Sequence, residues 1–198
     1  VEDSASLTAD KFTIDLWFQW DGLRGGSTDN QDFMALVSKG AFNSGEYTIL
    51  MSRVDSNTVN DFNFYINGAQ RATWQANGKG IDYGWHHQAA VYDGAYASIY
   101  FDGIQRVSTA YAASVTNTAN QLRIGAQTTG NTYAWDGRID EVRFSNIARG
   151  SDEIAAIAAK YPYSVHESPV IDFGSTPNSL DSLTYSAGGV QTSSGEVP

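Results

Sequence analysis

The sequence predicts an all-β fold, an antiparallel sandwich of two sheets or a jelly roll, with one short helix near the end of the domain. Short runs of alternating apolar and polar residues recur as far as residue 144, a period-2 pattern that buries one face of a strand. Asp-Gly and Asn-Gly pairs, which favour tight hairpin turns, separate many of these runs. A pattern typical of a helix stands out once, near residue 151.

The first predicted strand covers residues 12–20 and shows the clearest alternation. Its apolar positions are Phe12, Ile14, Leu16, Phe18 and Trp20. Further strands are predicted at 33–38, 47–53, 61–66, 85–92, 97–101, 121–125 and 139–144. We expect the core to include ten residues of these runs: Phe12, Ile14, Leu16, Val91, Ile99, Phe101, Leu122, Ile124, Val142 and Phe144.

The predicted helix covers residues 151–160 and is rich in alanine. Ser151 can cap it, because a serine hydroxyl accepts a hydrogen bond from a free amide of the first turn. Asp152 and Glu153 follow in that turn, where the helix dipole favours acidic side chains.

The end of the chain differs in composition from the rest. All four prolines lie in residues 162–198, and that stretch contains no Lys or Arg. We therefore expect one domain over residues 1–161, followed by a linker or a peripheral extension over 162–198. The chain opens on Val1 without a signal peptide and stops without a terminating element, so we expect it to be part of a longer, multidomain protein.

Charge and composition exclude several classes of function. The 198 residues carry 22 acidic and 12 basic side chains, for a net charge of -10. Nucleic acids and anionic membranes attract Lys and Arg, so we expect neither as a partner. An apolar run of about 20 residues, as membrane insertion requires, is absent from the sequence. Cys is absent as well, which excludes disulfides and thiol catalysis, and the composition is typical of an extracellular or cell-surface domain of a prokaryote.

Three segments, in order, resemble one protein family. They are 12–18 (FTIDLWF), then 85–94 (WHHQAAVYDG) with 99–103 (IYFDG), and finally 137–146 (GRIDEVRFSN), which leads into the predicted helix. In this order and at these distances they resemble the concanavalin A-like lectin/glucanase jelly roll, specifically its laminin G-like branch, over residues 1–161. The family usually opens with one more strand, so the resemblance implies that the N-terminal strand is cropped here.

The same superfold includes glucanases, so polysaccharide hydrolysis has to be considered. Retaining hydrolysis needs two carboxylates about 5 Å apart. The nearest segment places Arg138 and Arg143 where flanking Glu residues would be needed, and Asp140 and Glu141 are neighbours that face opposite ways on a regular strand. We expect these acids to form salt bridges with the two arginines. A Ser–His–Asp triad has no local signature in the chain, and we expect no enzyme activity.

The resemblance also implies a calcium ion on the rim of the sandwich. Laminin G-like domains commonly hold one through an Asp shortly before a Trp-His pair, and Asp82 has that position. The other ligands of the family map near Asp93 and Asn131, so the implied metal set is Asp82, Asp93 and Asn131. Loop oxygens of this kind suit Ca²⁺. The acidic loop 29–32 is either a second cation site or a solvated loop.

Five aromatic residues lie outside obvious apolar runs and are candidates for ligand binding. Flat aromatic rings bind the C–H faces of sugars when hydroxyls, amides or carboxylates lie nearby. The five are Trp20, Trp74, Tyr83, Tyr133 and Trp135. Each of them is either a platform for a glycan or an anchor that holds its loop.

These observations lead to three hypotheses about function. The first is a non-catalytic carbohydrate-binding or adhesion module of a secreted or cell-surface multidomain protein, whose partner is a glycan or a surface protein. The second is a structural spacer or protein-interaction domain without glycan binding. The third, a polysaccharide hydrolase, requires two carboxylates at hydrolase spacing on one face.

Overall fold

The structure is a computed structural model that describes residues 1–21, 33–55, 58–76, 81–127 and 133–160. The described residues form two antiparallel sheets of five strands each, packed face to face, with one helix. This arrangement confirms the predicted all-β jelly-roll sandwich. The extension 162–198 and the loop 29–32 lie outside the described residues. None of the helices in the described residues is long and apolar enough to span a membrane.

The elements follow one another in chain order with short connections between many of them. They are β1 (Phe12–Trp20), β2 (Phe33–Lys39), β3 (Tyr47–Asp55), β4 (Thr58–Ile66), β5 (Ala69–Gln75), β6 (Trp85–Tyr92), β7 (Tyr96–Phe101), β8 (Ile104–Ala110), β9 (Leu122–Ile124), β10 (Gly137–Ser145) and α1 (Ser151–Ala158). Sheet 1 has the strand order β10-β1-β6-β7-β8, and sheet 2 has the order β5-β4-β3-β2-β9.

The core lies between the two sheets and is rich in aromatic rings. Phe12 of β1 is fully buried, and its ring centroid lies 5.3 Å from that of Tyr47 and 5.9 Å from that of Phe64, both in sheet 2. Of the predicted core residues, six are buried as expected and belong to this core: Phe12, Ile14, Leu16, Ile99, Phe101 and Leu122. Val142 and Phe144 pack against it while half-buried.

The helix α1 covers part of the outer face of sheet 1 instead of the space between the sheets. Ile154 is fully buried there against Ala89, Val91 and Tyr100. Val91 is therefore buried as predicted but in this smaller outer cluster. The predicted cap is wrong by one residue: Gly150 is the N-cap, and its amide donates to the Glu153 carboxylate at 3.2 Å.

Two further predictions need correction, and both concern sheet edges. Strands β5 and β8 had not been predicted, because edge strands bury little and their sequences lack a clear apolar face. Ile124 is 47% exposed although it was expected in the core. It is the last residue of β9, which is three residues long and stands at the edge of sheet 2.

Candidate functional site

The rim residue Asp82 is joined to a histidine that a second carboxylate also contacts. The Asp82 carboxylate accepts a hydrogen bond from the Gly84 amide and lies 3.3 Å from Nε2 of His86. The other ring nitrogen of His86 is 2.9 Å from Asp102. Burial lowers the pKa of His86, but the hydrogen bond and charge of Asp102, with those of Asp82, outweigh burial and raise it.

The calcium set that the family resemblance implied includes two carboxylates at opposite ends of β6. Asp82 precedes β6 and Asp93 follows it, so the eight residues of that strand hold the two carboxylates more than about 20 Å apart. The Asp93 carboxylate instead caps its own turn, accepting from the amides of Ala95 and Tyr96. Asn131 lies outside the described residues. Within the described ranges no group of three His, Asp or Glu side chains is arranged to hold a metal ion.

The five aromatic candidates do not form one surface. Trp20 is 4% exposed, and its ring centroid lies 5.7 Å from that of Tyr83, which is 64% exposed on the rim. Trp135 packs edge-on to Phe18 and donates from its indole nitrogen to the carbonyl of Gln19. Trp20 and Trp135 therefore act as packing residues of the sandwich.

The other two candidates lie on sheet 2, on opposite faces of it. Trp74 is half-buried on the inner side, where its ring stacks on Phe62 and is covered by the guanidinium of Arg106. Tyr133 belongs to a cluster on the outer side. Its ring meets Phe33 and Phe42 edge-on, with both centroid distances at 5.8 Å.

Tyr133 is held in place from both backbone and side chain. Its carbonyl accepts a 2.8 Å hydrogen bond from the amide of Ala35 in β2, and its φ of +56° is in the left-handed region that few residues other than glycine adopt. Phe42 comes from the β2–β3 connection and also contacts Tyr65 of β4, at 5.4 Å between centroids. All four rings, Phe33, Phe42, Tyr65 and Tyr133, are half-buried, so each keeps an exposed part.

A row of polar side chains continues the same face of sheet 2. Phe62, Phe64 and Ile66 of β4 point into the core, so the alternating Asp61, Asn63 and Tyr65 point outward. Asn63 is 3% exposed and donates to the Ser52 hydroxyl at 2.9 Å.

The amide oxygen of Asn63 connects this row to β5. It accepts from Gln70 at 2.7 Å and from Thr73 at 3.0 Å. Phe33 pairs with Ser52 across β2 and β3, and Tyr65 pairs with Gln70 across β4 and β5, so rings and polar groups are neighbours. We call these nine residues the aromatic–amide surface: Phe33, Phe42, Ser52, Asp61, Asn63, Tyr65, Gln70, Thr73 and Tyr133.

Burial raises the pKa values of two groups on this surface. Burial raises the pKa of Tyr65, so its hydroxyl keeps its proton and can donate a hydrogen bond. Burial also raises the pKa of Asp61. A further orphan group lies on the same face: the hydroxyl of Thr48, which pairs with Tyr65 in register, is buried and has no hydrogen-bond partner in the described residues. The surface thus combines flat apolar rings with oriented donors and acceptors.

The segment around Asp140 and Glu141, which was considered for hydrolysis, does not make the contacts that were expected. The salt bridges predicted for Asp140 and Glu141 do not form with the neighbouring arginines: Arg143 makes two hydrogen bonds to the buried Asp15, and Arg138 donates to Gln19. The Asp140 carboxylate accepts from the amide of Glu141, whose φ is +49°. The extra residue of a β-bulge lies in this segment, because Asp140 and Arg143 of β10 pair with Trp17 and Asp15 of β1, and regular alternation therefore fails there.

The sequence and the fold lead to the same family. Residues 1–155 match the laminin G-like model of the concanavalin A-like lectin/glucanase superfamily. The chain belongs to this superfamily. No curated protein matches the chain in sequence.

Solved structures with the fold of this superfamily are similar to the chain at low identity. A heptameric SAP-like pentraxin from Limulus polyphemus has a TM-score of 0.60 at 11% identity, over 76% of this chain and 70% of that one. A CBM40 module of the Ruminococcus gnavus IT-sialidase, bound to α2,3-sialyllactose, has 0.57 at 13%, over 80% and 95%. Domain 4 of a Geobacillus stearothermophilus extracellular arabinanase, in complex with arabinotriose, has 0.55 at 17%, over 77% and 69%. These likenesses show the shared fold.

Most of the aromatic–amide surface was missed by sequence reasoning. Tyr65 could have been found, because the alternation in β4 places this large aromatic at an outward position beside two polar ones. Phe33 reads as the first apolar residue of a buried strand. Phe42 lies in a connection, and the sequence carries no signal that it folds back over β3 and β4.

Proposed function

We propose that this chain is a non-catalytic glycan-binding module and that its ligand lies on the aromatic–amide surface. The observation that carries this proposal is the cluster of four half-buried rings beside the hydrogen-bonded row of Ser52, Asn63, Gln70 and Thr73. Sugar rings have an apolar C–H face and a polar edge, so a surface with both features binds both parts.

The charge on the surface favours a neutral glycan. Its nine defining side chains include no Lys or Arg that could pair with an acidic sugar, and its polar row includes Asp61. The chain as a whole carries a net charge of -10, which adds repulsion against polyanionic ligands. We therefore expect neutral oligosaccharides to bind in preference to sialylated or sulfated ones.

The same set of residues supports a role without catalysis. Asp61 is the one carboxylate among the nine, whereas hydrolysis with retention or inversion uses two that flank the scissile bond. Prolonged incubation with a bound oligosaccharide should release no reducing ends. If the wild type released reducing ends and the Asp61→Asn variant did not, this part of the proposal would be contradicted.

The likeness to modules of larger enzymes supports the wider context we propose. The sialidase and arabinanase structures are a module and a domain, and the arabinanase is described as extracellular. We propose that the chain is likewise part of a secreted or cell-surface multidomain protein of a prokaryote, in which it attaches the protein to a glycan or takes part in adhesion. The proposal uses no metal ion, and calcium at Asp82 stays a prediction.

A glycan array with the wild type and the Asn63→Ala variant tests the proposal. We expect the wild type to bind neutral glycans and the variant to lose those signals, because Asn63 orients three neighbouring polar side chains. A wild type that binds no glycan on a broad array would favour the spacer or protein-interaction hypothesis.

A further inference from the structure

A second cleft lies on the other side of the sandwich, on the outer face of sheet 1. Its volume is about 380 Å³, within the size range of small-molecule sites, about 300–1,000 Å³. Strands β7 and β8, the β6–β7 turn and the residues just before α1 all contribute to its walls. The polar and aromatic residues that line it are Asp93, Tyr96, Tyr100, Gln105, Ser108 and Arg149.

Strand β7 supplies the aromatic part of this cleft. Ala97, Ile99 and Phe101 point into the core, so Tyr96 and Tyr100 point outward on the same face. Tyr100 is 6% exposed, whereas Tyr96 is 49% exposed. One ring is thus largely buried in the wall, and the other offers a free face to a ligand.

The polar groups around these rings are fixed by the protein but keep free hydrogen-bonding capacity. Oδ1 of Asp93 accepts from the amides of Ala95 and Tyr96, at 2.8 and 2.6 Å, while Oδ2 makes no hydrogen bond to the described residues. The hydroxyl of Tyr100 donates to Oε1 of Gln105 at 2.8 Å, which leaves the two N–H groups of that amide for another acceptor.

The charges in the cleft identify the kind of ligand. The guanidinium of Arg149 donates to Glu153 at 3.0 Å and to Ser145 at 3.2 Å, and its buried Nε has no hydrogen-bond partner among the described residues. Glu153 pairs with the charge of Arg149, and the carboxylate of Asp93 forms no ion pair within the described residues, so the cleft does not favour an anion. A carboxylate oxygen, an amide donor and an open tyrosine ring together match the adjacent hydroxyls and the C–H face of a neutral sugar.

We propose that this cleft is a second binding site, which takes one neutral sugar unit. The ring of Tyr96 stacks on the sugar, Oδ2 of Asp93 accepts from its hydroxyls, and the amide of Gln105 donates to one of them. This goes beyond the proposed function, because the site lies on sheet 1 and uses none of the residues of the aromatic–amide surface. A module with sites on two opposite faces bridges two glycan chains and gains avidity from doing so.

The test is an NMR titration of the full ¹⁵N-labelled chain with cellotriose, maltotriose and mannotriose, and separately with tetramethylammonium. We expect a neutral trisaccharide to shift the amide signals of Ala95, Tyr96 and Gly150 in a saturable manner. The variants Tyr96→Ala and Asp93→Asn should weaken that response at least about tenfold. Asp93→Asn keeps the Oδ1 atom that caps the turn, so its fold should be preserved.

Matched variants separate this proposal from the first one. Tyr65→Ala should leave the shifts in the sheet 1 cleft unchanged, and Tyr83→Ala, an exposed tyrosine elsewhere, should affect neither site. The proposal is overturned if none of the three sugars shifts these amides, if tetramethylammonium alone does so, or if the response survives in both Tyr96→Ala and Asp93→Asn.

Discussion

The amide of Asn63 donates to the hydroxyl of Ser52 across 2.9 Å, in a buried hydrogen bond on the outward face of sheet 2. This outward side chain is 3% exposed, and its amide oxygen also accepts hydrogen bonds from Gln70 and Thr73. The polar row is therefore oriented before any ligand arrives. Such pre-organisation lowers the entropy that binding has to overcome.

Replacing Asn63 should weaken both the glycan site and the fold. Asn63→Ala leaves Ser52, Gln70 and Thr73 without their shared partner, and a buried polar group that loses its partner costs about 1–3 kcal/mol. We expect a loss of that size in the free energy of unfolding, measured with urea, together with lost glycan binding. Thr109→Ala, at an exposed position of β8 in sheet 1, is the control and should change neither.

The buried ion pair between Lys39 and Glu46 should be the most sensitive electrostatic contact. Both side chains are fully buried, and Glu46 also accepts from the amide and the hydroxyl of Thr118. Glu46→Gln removes one of the two carboxylates that contact the buried Lys39 ammonium and leaves Asp3 at 2.8 Å, so we expect a loss of up to about 3 kcal/mol in the free energy of unfolding. The exposed Arg149–Glu153 pair is the matched control, and Glu153→Gln should cost about 1 kcal/mol or less. If chemical denaturation gave equal losses in the free energy of unfolding for Glu46→Gln and Glu153→Gln, burial would not be the cause.

The pair of Asp15 and Arg143 should set part of the acid stability. Burial raises the pKa of Asp15, but the neighbouring His87, whose Nε2 lies 3.6 Å away, and the two hydrogen bonds from Arg143 outweigh burial and lower it. The stability that this carboxylate contributes is therefore present above its unfolded pKa, about 3.9, and is lost as the pH falls through the lower folded value. In Arg143→Met burial acts with less opposition, so acid unfolding should begin at a higher pH. A midpoint equal to that of the wild type in circular dichroism would contradict this account.

Glycan binding should not depend on calcium. Asp82 precedes β6 in sheet 1, whereas the aromatic–amide surface lies on the outer face of sheet 2. Chelation with EDTA should therefore leave the affinity for a neutral glycan unchanged within about twofold, a difference of about 0.4 kcal/mol. A loss that EDTA and Asp82→Ala produce alike would instead move the glycan site to the rim around Tyr83.

Some strands of the fold could be predicted from the sequence and others could not. The alternation of Phe12 to Trp20 and the Asp-Gly turns predict the central strands, because a buried face imposes period 2. The edge strands β5 and β8 could not be predicted, because they bury few side chains and therefore lack a clear alternation of apolar and polar residues. The Asp140–Glu141 segment misleads because a bulge turns its side chains.

The candidate site is harder to predict from the sequence than the fold is. Tyr133 was predicted as a ligand-binding aromatic, and it does lie in the proposed surface, but its neighbours Phe33 and Phe42 come from 91 or more residues earlier in the chain. Only the pairing of strands brings them together. Spacing along the chain carries no information about such contacts, whereas it does place Asn63 and Tyr65 on one face.

The affinity of two matched tyrosine variants tests the central claim most directly. Tyr65 lies in the aromatic–amide surface, and Tyr83 is an exposed tyrosine on the rim. Titration calorimetry of the full chain with a neutral glycan selected on the array should give an affinity at least about tenfold weaker for Tyr65→Ala and unchanged for Tyr83→Ala. Unchanged binding by Tyr65→Ala, with loss in Tyr83→Ala, would contradict the account.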